Sequence, residues 1–162
     1  MALVFALLLI IGTSTAALHL AATLATQDSA RRHLAAWLKG ATYAGIEGVV
    51  LQTRTMNCGP AALKMALDSL GVHRTLIEIE RGVALDKRGS SLFDLMTYAQ
   101  NQGLHAETWQ LHVDDLADKP LPAIVFVHGD HFAVLDRITA QGEMHVRDPA
   151  IGQLRMDKAA FE

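Results

Sequence analysis

An α+β domain behind one apolar helix is the fold this sequence predicts, and three observations predict it. Residues 2–27 carry no formal charge. Between about Gly59 and Gly103 the apolar residues recur at helical spacing. From Ala123 onward they fall into short runs of strand length separated by turn signals. Helices followed by an antiparallel meander make the α+β class.

The first segment is densest at Ala2–Ile11 (ALVFALLLII) and softens into Ala, Leu and Thr. A spanning helix needs about 20 predominantly apolar residues, and 2–26 meets that as one transmembrane helix. A cleaved signal would use Ala2–Ile11 and a small-residue site near Ser14–Ala16, but no Lys or Arg precedes the apolar run, so the anchor is favoured. Arg31, Arg32 and Lys39 follow it closely. The positive-inside rule then puts the downstream domain in the cytoplasm, whereas a cleaved signal over 1–16 would make it periplasmic or secreted. The organisation read from the sequence is 1–27 anchor or signal, 28–48 juxtamembrane helix and linker, and 49–162 the α+β domain.

Asp28–Lys39 reads as a short helix ended by Gly40, Gly40–Gly48 as linker, and Val49–Leu51 as a short strand. In Asn57-Cys58-Gly59-Pro60 the proline suits a first helical turn, and Leu63, Ala66, Leu67 and Leu70 continue the period to Gly71. A helix over Gly59–Leu70 therefore has Cys58 at its N-terminus. Thr75–Arg81 is a second helix, and Ser90 or Ser91 caps a third that closes at Gly103. His105–Leu111 alternates and reads as a strand, and Asp114–Asp118 as a turn. Strands follow at Ala123–Val127, His131–Ile138, Met144–Arg147 and Gln153–Met156.

Composition narrows the chemistry. The 162 residues are 51% hydrophobic with net charge −3, which excludes a mainly disordered chain. A pI near 6.2 without a basic, aromatic-interleaved stripe argues against nucleic-acid binding. A single cysteine excludes a disulfide framework and multi-cysteine metal sites. No nucleotide-binding GxxxxGK[ST] motif is present. The pair His128 and His131 is a poor metal site without a third ligand, so neither metal nor cofactor is expected.

A thiol at a helix N-terminus is stabilised as thiolate by unpaired N–H groups and the helix dipole. On position alone, Cys58 is equally well a small buried residue. A nucleophile needs an imidazole in reach and a group to orient it. His131 opens a strand after a Gly-Asp turn, and Asp148 ends the next strand, so a hairpin sets them side by side. His128 is the nearest rival imidazole. Asp136 rivals Asp148 but lies inside the strand of His131 and points to the opposite face.

Gln52–Leu63 (QTRTMNCGPAAL), Gly89–Leu95 (GSSLFDL), Leu121–Ile124 (LPAI), His131–Asp136 (HFAVLD) and Asp148–Gly152 (DPAIG) together resemble the bacteriocin-processing, double-glycine leader peptidases. The likeness covers about Val49–Phe161. It implies a papain-like cysteine peptidase fold, with Cys58 as nucleophile, His131 as general base and acid, Asp148 as the residue orienting it, and Gln52 as the oxyanion-hole side chain. It also implies a leader-bearing precursor as substrate, cut after a Gly-Gly type site. Family members are often fused to ABC exporters; with no transporter or ATPase segment here, the chain resembles a stand-alone, membrane-anchored form beside a separate exporter. The family fold continues with further strand beyond Glu162, so the sheet is expected to be short by an edge. Two other classes share these features: a non-catalytic leader-binding module, and an acyltransferase or amidase with the same triad.

Overall fold

The computed structural model describes residues 2–83, 85–87, 89–127 and 129–161, without the side chains of 2–14 and 16. The elements are α1 (Ala2–Leu38), β1 (Thr42–Gly45), α2 (Cys58–Ser69), α3 (Leu76–Gly82), α4 (Leu92–Asn101), a 3-10 turn at Val113–Asp118, β2 (Ala123–Val127), β3 (His131–Ile138), β4 (Met144–Asp148), β5 (Gly152–Met156) and α5 (Lys158–Phe161). The five strands form one antiparallel sheet in the order β1-β5-β4-β3-β2. The predicted α+β class is the observed one.

Local signals set the helices. Thr75 and Ser91 each close a capping box with the acidic residue three positions on, Glu78 and Asp94, satisfying first-turn donors at both ends of the motif. The sheet is packed on both faces. Phe132, Val134 and Ile124 meet α2–α4 through Leu63, Met65, Leu67, Ile79 and Leu95. Ala133, Leu135, Val146 and Leu154 meet Ala36, Ala41 and Ile151 on the other face. Successive residues of β3 thus feed two cores, which is why it runs buried from Phe132 to Leu135 rather than alternating.

Four expectations change. The helix expected at Asp28–Lys39 is the end of one continuous helix from Ala2 to Leu38. The expected linker contains β1, which pairs with β5 at one edge of the sheet. Val49–Leu51 is not a strand; Val49 and Val50 are apolar because they pack as loop against the α2 core. His105–Leu111 is irregular: its alternation finds no strand to pair with, and Trp109 stays exposed. The expected anchor falls largely on residues 1–14 and 16, outside the described side chains. Among the described residues, no helix is long and apolar enough to cross a membrane.

Candidate active site

Cys58 is the first residue of α2 and is buried. Its helix approaches β3 closely: a Cβ on Gly59 would lie 2.5 Å from Ser90 Oγ and 3.2 Å from the Phe132 ring, so any larger residue would have to displace Ser90 and press on Phe132. At the other end of α2, Arg147 donates to Ser69 Oγ (2.8 Å), Met65 O (3.4 Å) and Gly48 O (3.1 Å). Its guanidinium also holds Asp136 through two bonds of 2.7 and 2.6 Å. Asp136 sits where the register of β3 and β4 shifts and is committed to Arg147, away from His131. Asp136 and Arg147 together pin the helix across the sheet.

His131 opens β3 and Asp148 closes β4. Imidazole Nε2 donates to Asp148 Oδ1 at 2.9 Å, which leaves Nδ1 for the hydrogen bond to Cys58. The Asp148 side chain is 3% exposed. Its Oδ1 also accepts the Ala150 N–H at 2.7 Å, and its Oδ2 accepts from Lys39 Nζ at 3.2 Å. The structure therefore brings Cys58, His131 and Asp148 into one chain of contacts. His128 lies outside the described residues.

Burial disfavours the Cys58 thiolate, but the His131 hydrogen bond, the Phe132 backbone, the imidazolium charge and the Gly59 backbone outweigh it and hold the thiol below its ordinary value of 9.0. The hydrogen bonds of His131 to Asp148 and then Cys58 overcome burial and raise the imidazole from 6.5 to about 9. Burial pushes Asp148 upward, yet His131 and then Lys39 keep it below the usual carboxylate value. Between the Cys58 value and about 9 the pair is thiolate and imidazolium, the nucleophile and proton donor that acyl transfer requires.

Gln52 lies in the loop before α2. Its backbone N–H donates to Pro149 O at 2.8 Å, tying this loop to the residue after Asp148. Its buried side-chain oxygen has no protein hydrogen-bond partner. Asn57, fully buried, does not cap α2 with its side chain. Instead its Nδ2 donates to Glu80 Oε1 (2.8 Å) and Thr53 Oγ1 (3.2 Å), and its Oδ1 accepts the Arg54 N–H (3.1 Å). Arg54 also pairs with Glu80. Sequence reading missed Asn57, Glu80, Arg147 and Lys39. Asn57 stood inside the quoted motif, where an Asn before a helix signals a cap; the other three act across long sequence separations that leave no local signal. Among the described residues, no group of three or more His, Cys, Asp or Glu side chains could hold a metal.

Residues 47–162 match the Peptidase C39 family. An uncharacterized protein of Methanothermobacter thermautotrophicus is 32% identical over 123 residues, 74% of this chain and 84% of that protein. The probable functional amyloid protease FapD of Pseudomonas aeruginosa is 30% identical over 70% of this chain, which spans 54% of its length. The probable microcin-H47 secretion/processing ATP-binding protein MchF of Escherichia coli is 30% identical over 65% of this chain, which spans only 15% of it. Among solved structures, a double glycine motif protease from an AMS/PCAT transporter, in complex with the leader peptide, aligns at TM-score 0.66 and 24% identity over 70% of this chain and 81% of that one. The peptidase domain of Streptococcus ComA aligns at TM-score 0.62 and 21% identity, over 70% of this chain and 88% of that one. These two likenesses speak to the fold.

Proposed function

The chain belongs to the Peptidase C39 family, and from that premise we propose that it is a cysteine endopeptidase that removes a leader from a secreted peptide or protein precursor after a Gly-Gly type site. The observation that carries the reading is His131 bonded to both the buried Asp148 and the only cysteine of the chain.

In this reading the Cys58 thiolate attacks the scissile carbonyl carbon, forming a C–S bond. The Cys58 backbone N–H and the Nε2–H of the Gln52 side-chain amide donate to the oxyanion. The His131 imidazolium gives its proton to the leaving amine as the C–N bond breaks. Neutral His131 then takes a proton from water, which attacks the thioester and frees Cys58. Asp148 holds the imidazole with Nδ1 toward the sulfur throughout. A site that passes the substrate backbone close to α2 would favour glycine at the cut. The charge-free residues 2–27 would anchor the chain in a membrane with the peptidase domain on the cytoplasmic side, beside an exporter that carries the product.

The test is cleavage of a synthetic peptide with a Gly-Gly leader junction by the full chain in detergent, read by mass spectrometry. The wild type is expected to cut after the second glycine. Cys58→Ala is expected to give no product while its circular dichroism is unchanged. Equal turnover by Cys58→Ala would overturn the reading.

A further inference from the structure

The second oxygen of Asp148 is held by a residue that lies before the family-matched region 47–162. Lys39 directly follows α1 in a tight helix end: the N–H groups of Lys39, Gly40 and Ala41 donate to Ala36 O, Trp37 O and Ala36 O at 3.0, 2.9 and 2.9 Å. Gly40 takes φ +68 there, the left-handed closure that lets a helix stop and its chain turn. Ala36 and Ala41 are buried against the underside of the sheet. The turn is therefore fixed, and the Lys39 stem is aimed at Asp148. One helical turn and more earlier, Arg32 Nη1 donates to Ile151 O at 2.8 Å. Two cations of one segment thus grip the 148–151 corner.

We propose that Lys39 is a positioning residue of the active site, holding Asp148 Oδ2 so that Oδ1 stays directed at His131. This rests on the catalytic reading above and extends the working unit to the segment before the family domain.

The bond inventory explains why the cation matters. Oδ1 receives two bonds, from His131 and the Ala150 N–H, and Oδ2 receives the one from Lys39. Without it, an oxygen of a side chain only 3% exposed loses that partner, and the carboxylate gains by turning away from His131. Among the described residues, the charged and titratable groups facing Asp148 are His131 from β3, with Cys58 behind it, and Lys39 from the end of α1; Arg32 meets the adjoining carbonyl. As Asp148 turns away, His131 loses the bond that raises it most, so its step falls, and a weaker imidazolium stabilises the thiolate less, so the thiolate step rises. The two protonation steps therefore move toward each other, whereas loss of charge alone would raise both. A merely structural lysine would lower stability and leave both steps in place.

The experiment uses the full chain in detergent micelles and the rate of Cys58 alkylation against pH, which reports one site because the chain has one cysteine. The wild type is expected to show two steps, thiolate formation at low pH and loss of the imidazolium near 9. Lys39→Met is expected to raise the thiolate step and lower the imidazolium step, bringing them closer by about half a pH unit or more, and Lys39→Arg to return them to the wild-type positions; a rise of both steps together would show lost charge alone and overturn the proposal. Lys39→Gln replaces the methionine variant if that one fails to melt cooperatively. A Lys39→Met or Lys39→Gln profile superimposed on the wild type overturns the proposal and leaves the catalytic reading intact. So does a displacement that arginine fails to correct. A wild type with one ordinary thiol step, unchanged in His131→Ala, overturns both.

Discussion

The two faces of the sheet supply the two halves of the site by different means. On one face, α2–α4 present Cys58 from a helix N-terminus, with packing that is largely local: consecutive helices, capping boxes and short connections. On the other, the end of α1 supports Asp148 through Lys39, 109 positions away in sequence, and the adjoining Ile151 carbonyl through Arg32, 119 positions away. The first face places the thiol where a helix begins. The second keeps a buried carboxylate ionised by surrounding it with donors. His131 stands at the end of β3, the strand that feeds both cores, and joins them.

Removing that joint has the largest expected effect. His131→Ala leaves Cys58 without its imidazolium and Asp148 with Lys39 and the Ala150 amide alone. Turnover of a leader peptide is expected to fall by about 10⁴-fold or more. The sign for the thiol follows from the shifts: His131 is protonated below about 9 and its bond and charge lower Cys58, so without it the thiolate forms only at higher pH. Alkylation at pH 6 compared between the two proteins checks this. A low-pH thiolate that survives in His131→Ala would mean the helix N-terminus alone generates the nucleophile.

A matched pair of core truncations sharpens the comparison at intermediate size. Leu63 in α2 and Leu154 in β5 are both almost fully buried, one on each face. Each Leu→Ala change is expected to cost about 2–5 kcal/mol in denaturant unfolding. Their effects on the thiol should differ. Leu154 lines a small cavity of about 20 Å³ together with Asp148 and Lys39, so its truncation loosens the carboxylate side, lowering the imidazolium step and raising the thiolate step. Leu63→Ala lowers stability with the steps in place. Equal displacement by both variants would show one mechanical unit instead of two.

The same division explains what the sequence made legible. Thr75–Arg81 and a cap at Ser90 or Ser91 announced two helices, and Gly59-Pro60 announced a third with Cys58 at its start. His131 and Asp148 were readable because each ends a strand of one hairpin, and strand-end residues of a hairpin meet. Gln52 rested on the family resemblance alone, since nothing local marks a loop glutamine. Lys39, Arg32 and β1 were read as helix end and linker. A four-residue strand containing glycine has little intrinsic β signal; Thr42–Gly45 is a strand because β5 offers it an edge. That β1 approaches so closely depends on Gly152, at φ +135, where a Cβ would lie 2.5 Å from Gly45 O. Tertiary partners of this kind are not encoded in any local window.

The smallest test asks how far the local face can be disturbed before the site feels it. Ser91 Oγ accepts the Asp94 N–H at 3.1 Å and donates to Asp94 Oδ2 at 2.6 Å, while the Ser91 N–H donates to the same Oδ2 at 3.1 Å. Ser91→Ala removes the first two bonds and should cost about 1 kcal/mol, a fall in melting temperature of about 2–4 °C for a domain of this size. The neighbouring residue, Ser90, crowds the place where a Gly59 side chain would be, so fraying at the start of α4 is transmitted toward α2 only if this crowding is rigid. The expectation is a lower melting temperature with both thiol steps unmoved, because α2 is held at its far end by Arg147 and at its near end by the His131 bond to Cys58. A displaced thiol step in Ser91→Ala would make the 89–91 loop part of what sets the nucleophile, and the helix face would then owe its chemistry to more than where α2 begins.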